Sequence, residues 1–486
     1  MSESAALIPT GRWLVGAVFI ASLLAFMAIG VVSSRHKQKS TTDYLLAGRN
    51  VSPWLVALST VATMSSGFMF VGMIGFTYRT GLSSIWMLVG WAAGDYFAWR
   101  FFYRPLREVS QRRGAVSAIA LLKPPNVRSQ GVVVPIAGVL SVFYLSMYAA
   151  AQLKAGDTAL QTVFGTPENV GSVLGAAIVL VYCYSGGIRA SIWTDAAQSI
   201  VMFATMALLV FVAFVNVGGT TGLERSLRGL DPSLMSLFPA DASFGFGIYF
   251  LGMVLGGFGV VGQPHVLVRS MCIEDGALIQ RARRYYFLFL LPFYAMTIAV
   301  GLLARAIIPD ITAQTGLSSE HALPVLGMTM LPEVLIGLML AGLFSATMST
   351  ADSQIIACTS ALIEDVFPRW KKSYTASKVA TVGVTCVALL VAVSSADGVF
   401  ALVLDAWAVL SCTLGPVLVI SLFGWPYSRA MALVIMVTGF VASNWWVASP
   451  WAEDVYVNLP AMAAAFGAYA VMLAARRLPQ IRTRGE

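Results

Sequence analysis

The chain has 486 residues, of which 58% are hydrophobic and only 11% are Asp, Glu, Lys or Arg, whereas soluble domains usually carry about 25% charged residues. Its mean hydropathy of +0.78, its five scattered cysteines and its three histidines exclude a soluble enzyme, a disordered chain, a disulfide scaffold and a zinc site. The net charge of +8 indicates membrane orientation, since no basic patch interleaved with aromatic residues predicts binding to nucleic acid.

Thirteen apolar segments, bounded by charged or Gly/Pro-rich turns, follow one another along the chain. A transmembrane helix needs about 20 apolar residues, so we interpret each segment as a span. The first is too long for the hydrophobic region of a signal peptide. In chain order, the predicted spans are 13–32, 54–76, 85–102, 132–152, 170–185, 196–217, 244–261, 285–307, 334–359, 379–393, 400–423, 430–446 and 457–473.

The distribution of positive charge predicts how these spans are oriented. If the N-terminus faces outward, the connections on the inner side contain most of the 31 Lys and Arg residues, Arg269 among them. This is the asymmetry that the positive-inside rule describes. We therefore predict a multi-pass protein of the bacterial plasma membrane, with the N-terminus outside and the C-terminus in the cytoplasm.

The second span carries small and hydroxyl-bearing residues at 59–68, where a helix facing lipid would carry Leu and Ile. Gly67 weakens the helical ladder, and the hydroxyl groups of Ser65 and Ser66 can bond carbonyls that a break releases. Two interpretations are open: a broken helix that coordinates an ion, or close helix–helix packing through small residues.

Charged residues near or inside other spans are harder to interpret. Lys154, near the outer end of the fourth span, can attract an anionic substrate, extend its amine to the membrane surface, or pair with Asp157. Asp95 and Asp405 also lie within apolar runs. The sequence assigns them no role beyond packing against a polar neighbour.

The sixth span is preceded by a glycine turn at 186–187 and has Asp195 in its first turns. A carboxylate at a helix N-terminus is favoured by the helix dipole, and the predicted topology places it at the inner face. Asp195 can therefore be explained without any role in ion binding.

The seventh span is also interrupted by glycines and ends in Gln263, Pro264 and His265. Two Gly-interrupted segments five spans apart are typical of an inverted-repeat transporter, with spans two to six and seven to eleven as the repeats. We interpret His265 as a polar residue at a helix end that bonds to backbone.

The ninth span contains one carboxylate, Asp352, among several hydroxyl side chains. An intramembrane Asp is costly and usually faces a cavity, an ion or a partner. Ser349 and Thr350 point about 100° apart on a helix, yet both can flank a hard cation such as sodium in a groove beside it. The alternative is that these hydroxyls bond carbonyls one turn earlier.

Taken together, these stretches resemble the sodium/solute symporter family, and the residues at 262–265 resemble its sodium/proline symporter branch. The other matching motifs lie at 46–49, 186–198, 346–354 and 363–365. The resemblance implies an all-α integral membrane protein of thirteen transmembrane helices with a LeuT-like inverted-repeat core. The expected division is 1–40 for the N-terminus and first helix, 41–425 for the core, with repeats at 41–217 and 244–425, and 426–486 for two C-terminal helices and a cytoplasmic tail.

By this resemblance, the principal sodium ion would lie between the second and ninth spans. Its implied ligands are the backbone oxygens of Ala62 and Ser65, the carbonyl of Ala346 and the hydroxyls of Ser349 and Thr350. Some members of the family have a second sodium site further inward.

The positions that match the second site are Asp195, Asp352 and Ser353, which are candidates for a second sodium ion or a proton. The substrate residues of the proline branch correspond to Ser66, Gly67, Phe68 and Tyr148.

The chain departs from the proline branch at several of its positions. Phe68 stands where that branch usually has Trp, Met64 replaces an Asp, and two other aromatic positions are Gly256 and Val260 here. These differences bear on proline as the substrate more than on sodium coupling.

We therefore expect a secondary active transporter, and not an enzyme, that couples inward sodium flux to uptake of a small organic solute, such as an amino acid like proline or a small carboxylate. Two alternatives are a proton-coupled symporter of the same fold, using Asp195 or Asp352, and a membrane sensor or receptor. Few residues follow the last span, so no fused signalling module is expected. The expected partners are the solute and the lipid bilayer, with no obligatory protein partner and no nucleic acid.

Overall fold

The computed structural model describes residues 13–33, 35, 40–124, 131–239, 242–371, 373–395 and 398–477. Over these ranges the regular structure is helical, apart from an isolated parallel β-bridge between Val51 and Ile273. The predicted all-α class is confirmed. Residues 1–12 and 478–486, for which the sequence predicted an outer N-terminus and a cytoplasmic tail, lie outside the described ranges.

The α-helices within these ranges differ widely in length, from single turns to long apolar rods. In chain order they are α1 (Trp13–Ser33), α2 (Thr41–Leu46), α3 (Pro53–Met64), α4 (Ile74–Thr80), α5 (Ile85–Phe97), α6 (Tyr103–Arg112), α7 (Val133–Phe164), α8 (Val170–Asn216), α9 (Gly219–Leu230), α10 (Phe246–Phe258), α11 (Pro264–Cys272), α12 (Ile279–Ile307), α13 (Ile311–Thr315), α14 (Ala322–Met330), α15 (Glu333–Ser360), α16 (Tyr374–Ser394), α17 (Val399–Leu422), α18 (Arg429–Val447) and α19 (Asn458–Arg477).

Within the described residues, nine helices are long and apolar enough to cross a membrane, and eleven if each of two bent pairs counts as one span. The count of thirteen is therefore not confirmed. One reason is that the second and third predicted spans share a continuous helical stretch, Phe68–Arg112. Another is that the apolar part of the fifth span, Val170–Val181, is short.

The two bent pairs are the segments that the glycine pattern singled out. The chain turns by 51° between α3 and the helical stretch that begins at Phe68, and by 62° between Gly262 and α11. Pro264 is the first residue of α11, where its missing N–H costs no hydrogen bond. Both predicted interruptions are confirmed, whereas the inverted-repeat relation between them stays a prediction.

A third interruption lies within α8, at the predicted glycine turn. Gly187 adopts φ +58°, and a Cβ atom there would lie 2.4 Å from the carbonyl oxygen of Tyr44. Only glycine combines this backbone conformation with such a close approach. The second part of α8 begins at this break, and one of its faces is buried and carries Asp195.

The helices form a buried centre and an outer layer. More than four-fifths of the residues in the most apolar stretch of α15 and of α17 are buried. In α1, α16, α18 and α19 the buried share of that stretch is about a third or less. Apolar side chains of the outer helices, such as Leu24, Val437 and Val471, are exposed, as expected of surfaces that face lipid. α15 contacts α3, α7, α8 and α11, and the candidate site lies where these five helices meet.

Candidate ion and substrate site

The break after α3 releases main-chain oxygens at the centre of the protein. Ser65 has φ −86° and ψ 55°, so the helical path ends there, although its N–H still donates to Val61 O at 2.7 Å. The last carbonyls of a helix have no N–H partner further along the same helix. The carbonyls of Ala62 and Thr63 are in this position, and both residues are buried.

Two hydroxyl groups of α15 reach these carbonyls. Ser349 Oγ donates to Ala62 O, and Thr350 Oγ1 donates to Thr63 O, both at 3.0 Å. Each hydroxyl oxygen also lies 3.1 Å from the carbonyl oxygen of Ala346, one turn earlier on α15. The bonds back to α15 that the sequence left open are therefore present, together with contacts across to α3, and the binding of a cation by these hydroxyls stays a prediction.

The structure thus brings together four of the five residues implied as sodium ligands. They contribute uncharged oxygen atoms in a region without solvent exposure. The fifth, Ser65, lies at the helix break itself, and its buried Oγ has no hydrogen-bond partner among the described residues. Sequence reasoning missed Thr63, because its carbonyl becomes available only through the break.

The residues implied as a second site, Asp195, Asp352 and Ser353, also lie together and are buried. Ser191 Oγ lies 3.0 Å from Asp352 Oδ1 and 3.4 Å from Asp195 Oδ2. Ser353 Oγ lies 2.9 Å from Asp352 Oδ1. The hydroxyl group of Ser191 therefore connects the two carboxylates.

This second cluster contains a cation that sequence reasoning did not place there. Arg269 Nη2 lies 3.0 Å from Asp195 Oδ2 and 4.0 Å from Asp352 Oδ1, and it also hydrogen-bonds Ser353. Its Nη1 donates to the carbonyl of His265 at 2.5 Å. The prediction that Arg269 lies in an inner connection is wrong, because α11 folds into the protein and buries the side chain completely.

Asp195 likewise differs from the simplest prediction for it. Its carboxylate accepts hydrogen bonds from Ser59 at 2.6 Å and from Arg269, and the residue has no exposed surface. The prediction that Asp195 lies at the inner face and is stabilised by the helix dipole alone is therefore wrong. Asp195 follows the break at Gly187 by about two helical turns and is fully buried.

The residues implied as substrate ligands surround the break. Gly67 packs so closely that an added Cβ would lie 2.9 Å from both Ala155 and Thr347. Its N–H donates to Gln152 Oε1 at 2.8 Å, a contact absent from the sequence prediction. The N–H of Phe68 donates to Ser66 Oγ at 3.2 Å.

Aromatic rings cover this region on one side. Phe68 stacks between Trp91 and Phe400, with ring centroids 5.9 and 5.3 Å apart. Trp91 also stacks on Trp407 at 5.5 Å. At Gly256, where the proline branch has an aromatic residue, a Cβ would lie 2.8 Å from Trp91 Nε1, so the Trp91 ring occupies that space.

Tyr148 faces the second helix break. Its ring lies 5.5 Å from the His265 ring in an edge-to-face arrangement, and both residues are buried. Among the described residues, neither ring nitrogen of His265 has a hydrogen-bond partner. The prediction that the His265 side chain bonds to backbone is therefore wrong.

The other charged residues that the sequence left without a role, Lys154, Asp157 and Asp95, are found in three different environments. Lys154 Nζ donates to Ser395 O at 2.8 Å. Asp157 accepts the N–H groups of Asn169 and Gly171 at 2.9 and 2.7 Å, and so caps the start of α8. Asp95 is buried, and within the described part of the chain its carboxylate oxygens have no hydrogen-bond partner.

The comparisons with known proteins agree with this arrangement. The sodium:solute symporter family matches residues 44–439, which is most of the chain. The chain therefore belongs to the sodium:solute symporter family. It is a multi-pass membrane protein that couples sodium to the movement of a solute, and sodium is its coupling ion.

Curated relatives include two proline transporters. The chain is 27% identical to the high-affinity proline transporter PutP of Bacillus subtilis over 436 residues, which cover 88% of this chain and 91% of that protein. It is also 27% identical to a sodium/proline symporter of Staphylococcus aureus, over 87% of this chain and 84% of that one.

Solved structures confirm the LeuT-like fold. The substrate-bound, outward-open state of a Na⁺-coupled sialic acid symporter aligns with a TM-score of 0.79 at 18% identity, covering 95% of this chain and 98% of the other. Mhp1, a nucleobase-cation-symport-1 family transporter in a closed conformation, aligns with a TM-score of 0.57 at 16% identity, covering 90% and 95%. At these identities the likeness concerns the fold alone.

Proposed function

We propose that the chain takes up a small organic solute, an amino acid such as proline or a small carboxylate, together with sodium bound between α3 and α15. The observation that carries the ion site is the meeting of Ser349 and Thr350 with the carbonyls of Ala62 and Thr63 at 3.0 Å. Carbonyl and hydroxyl oxygens are the ligands that hard cations prefer. The names of the proline-transporting relatives support the solute class.

Sodium binding would replace hydrogen bonds that α3 and α15 now make with each other. The hydroxyl hydrogens of Ser349 and Thr350 would turn away, and their oxygens would face the ion together with the carbonyls of Ala62, Ser65 and Ala346. An ion bound by both helices stabilises the arrangement in which they touch. Since Gly67 and Phe68 follow directly after the break, ion binding would also order the substrate residues.

This coupling makes accumulation depend on the sodium gradient and on the membrane potential. Each charge that moves inward contributes about 2.3 kcal/mol per 100 mV. The inward direction rests on the proposed orientation, with the N-terminus outside and the C-terminus in the cytoplasm. It also rests on rocking of two inverted repeats, 41–217 and 244–425, about the central site.

The second cluster supports a role for one further cation. With both carboxylates ionised, Asp195 and Asp352 outweigh Arg269 by one negative charge in a buried region, which is costly unless another positive charge joins them. Among the described residues, Asp195 Oδ1 and Asp352 Oδ2 have no hydrogen-bond partner. A second sodium ion or a proton at Asp195, Asp352 and Ser353 would supply that charge.

The test is uptake by the purified protein in proteoliposomes. A panel of labelled amino acids and small carboxylates is offered with and without an imposed sodium gradient, at fixed pH. We expect accumulation of at least one amino acid or carboxylate that requires the gradient.

Uptake that is independent of sodium but follows a proton gradient would favour the proton-coupled alternative. Binding of a solute without accumulation would favour a sensor or receptor.

A further inference from the structure

Two buried glutamine side chains beside the helix breaks have orientations that their main-chain partners dictate. Gln152 accepts the N–H of Gly67 at 2.8 Å, and a main-chain N–H can only donate. The accepting atom must therefore be Oε1, and the amide NH₂ of Gln152 must point elsewhere. Within the described ranges, this buried NH₂ group has no hydrogen-bond partner.

Gln263 presents the opposite case. Its Nε2 lies 2.9 Å from the carbonyl oxygen of Trp407, which can only accept, and 3.0 Å from Ser411 Oγ. Both N–H groups of this amide are therefore used. Its Oε1 remains as an acceptor, buried and without a partner among the residues that the structure describes.

These two amides border the same region. Gln152 lies one turn after Tyr148 on α7, so the two side chains share a helix face. The Tyr148 ring lies 5.5 Å from the His265 ring, and His265 is separated from Gln263 only by Pro264. A donor on α7 and an acceptor at the break before α11 are thus each close in the chain to one ring of the Tyr148–His265 contact.

We propose that the Gln152 NH₂ group donates to a carboxylate oxygen of the transported solute, and that the Gln263 carbonyl accepts from the amino group of the same molecule. This inference rests on the proposed function and assigns the substrate class as amino acid zwitterions. Buried polar groups without partners are rare in folded proteins, and a ligand supplies the missing ones. Two neutral amides also suit a zwitterion, because it brings no net charge into a buried site.

The same arrangement makes Gln152 and Gln263 determinants of specificity. A monocarboxylate without an amino group leaves Gln263 unsatisfied, and a quaternary amine without an acceptor oxygen leaves Gln152 unsatisfied. A site that hydrogen-bonds a substrate group discriminates strongly against analogues that lack it. Sugars and polyols have neither charged end.

The experiment uses proteoliposomes of the full chain with an imposed sodium gradient and a panel of labelled neutral amino acids, monocarboxylates, sugars and quaternary amines. We expect the best-transported member to be an amino acid. The Gln152→Glu variant keeps an oxygen for the Gly67 N–H but replaces the NH₂ group with a second oxygen. At pH 8 we expect its apparent affinity for that amino acid to fall at least tenfold, while half-saturating sodium is unchanged.

Acidification provides an internal check, because protonation of the substituted carboxyl group would restore a donor at this position. Uptake by the Gln152→Glu variant should therefore recover in part at pH 5.5, relative to the unsubstituted protein at the same pH. The control is Gln111→Glu, which makes the same exchange at an exposed glutamine whose Oε1 accepts from Arg107 and keeps that acceptor. That control should keep the affinity for the amino acid.

If the Gln152→Glu protein does not fold, the unsubstituted protein supplies the decisive measurement. Its affinity for the best amino acid is compared with that for the corresponding amine without the carboxyl group, and a loss of at least tenfold is expected. Equal affinities, an unchanged Gln152→Glu affinity at pH 8, or a best-transported solute without a carboxylate would overturn the inference while leaving sodium-driven transport intact. Absence of sodium-driven uptake of every panel member would overturn the proposed function, and this inference with it.

Discussion

One turn of α15 separates two polar clusters of opposite character. Ser349 and Thr350 present uncharged oxygens to the carbonyls of α3, whereas Asp352 and Ser353 contact the guanidinium of Arg269. Both clusters are fully buried. An uncharged set of oxygens can take up and release a cation without leaving a buried charge behind, but a carboxylate cluster needs a permanent counter-charge. The same helix therefore combines an uncharged set of oxygens with an ionic cluster in which Arg269 is a permanent cation and one negative charge is left for a further cation to balance.

The largest expected effect follows from removing the permanent cation. Arg269→Met leaves Asp195 and Asp352 buried and uncompensated, which costs about 3–5 kcal/mol of stability. We expect the variant to be poorly recovered from membranes, with a clearly lowered melting temperature in detergent. Adding Asp195→Asn and Asp352→Asn should restore much of the loss.

The control for this variant is Arg228→Met, which breaks an ion pair with Glu224 on the surface and should leave the melting temperature nearly unchanged. An Arg269→Met protein as stable as the parent would show that the two clusters do not differ in the way described.

The next effect concerns the uncharged cluster. Ser349→Ala or Thr350→Ala removes one oxygen from the proposed ion site, and an interaction with a charged group contributes about 1.5–3 kcal/mol. Half-saturating sodium for uptake should therefore rise by about tenfold or more. The amount of folded protein should change much less.

Ser345→Ala is the matched control, since Ser345 is equally buried on α15, its hydroxyl donates to Ala341 O one turn earlier, and it is not among the implied ion ligands. An equal fall in sodium affinity and in protein abundance for Ser349→Ala and Thr350→Ala would instead favour a packing role for these hydroxyls.

Asp352→Asn makes the charged cluster neutral, because Asp195 and Arg269 then balance each other. The cluster would then need no further cation, so a transporter that binds a second sodium ion there should show a less steep sodium activation curve. If the additional cation is a proton, the pH dependence of uptake should flatten instead. Uptake curves against sodium and against pH distinguish the two, and no change in either would remove the second site from the mechanism.

The smallest effects are expected at the substrate residues. Phe68→Ala removes stacking with Trp91 and Phe400, and Tyr148→Ala removes the contact with His265. Aromatic contacts of this kind contribute about 0.5–1.5 kcal/mol, so substrate affinity should fall by about two- to tenfold at saturating sodium. The control is Phe143→Ala, which alters an exposed side chain on α7 and should leave the substrate affinity unchanged. Unchanged substrate affinity in both test variants would show that the substrate does not bind beside these rings.

The helix breaks could be predicted from local sequence patterns, and the candidate ion ligands could be predicted from the resemblance to a family. Glycines and hydroxyl residues within apolar runs indicated interruptions near Gly67 and Gly262, and the structure confirms both. The resemblance to a family then placed Ala62, Ala346, Ser349 and Thr350 together. Their assignment as sodium ligands stays a prediction, although the distances between them agree with it.

Other residues that contact the candidate site could not be predicted from the sequence. Arg269 was interpreted as part of an inner connection, since its charge followed a predicted span and nothing local indicated that α11 turns inward. Gln152 and Trp91 lie within ordinary apolar segments, and neither has a neighbour in sequence that marks it. Gln152 bonds Gly67 and Trp91 stacks on Trp407, and both of these partners are far away in the chain.

The amino-acid sequence alone determined that this is an all-helical membrane protein with interrupted helices, because hydrophobicity and glycine act locally along the chain. It also determined which hydroxyls and carboxylates are too costly in a membrane to be incidental. Only the tertiary structure decided which of them share a cluster, since charge compensation by Arg269 and the amide orientation of Gln152 arise from contacts between helices distant in the chain.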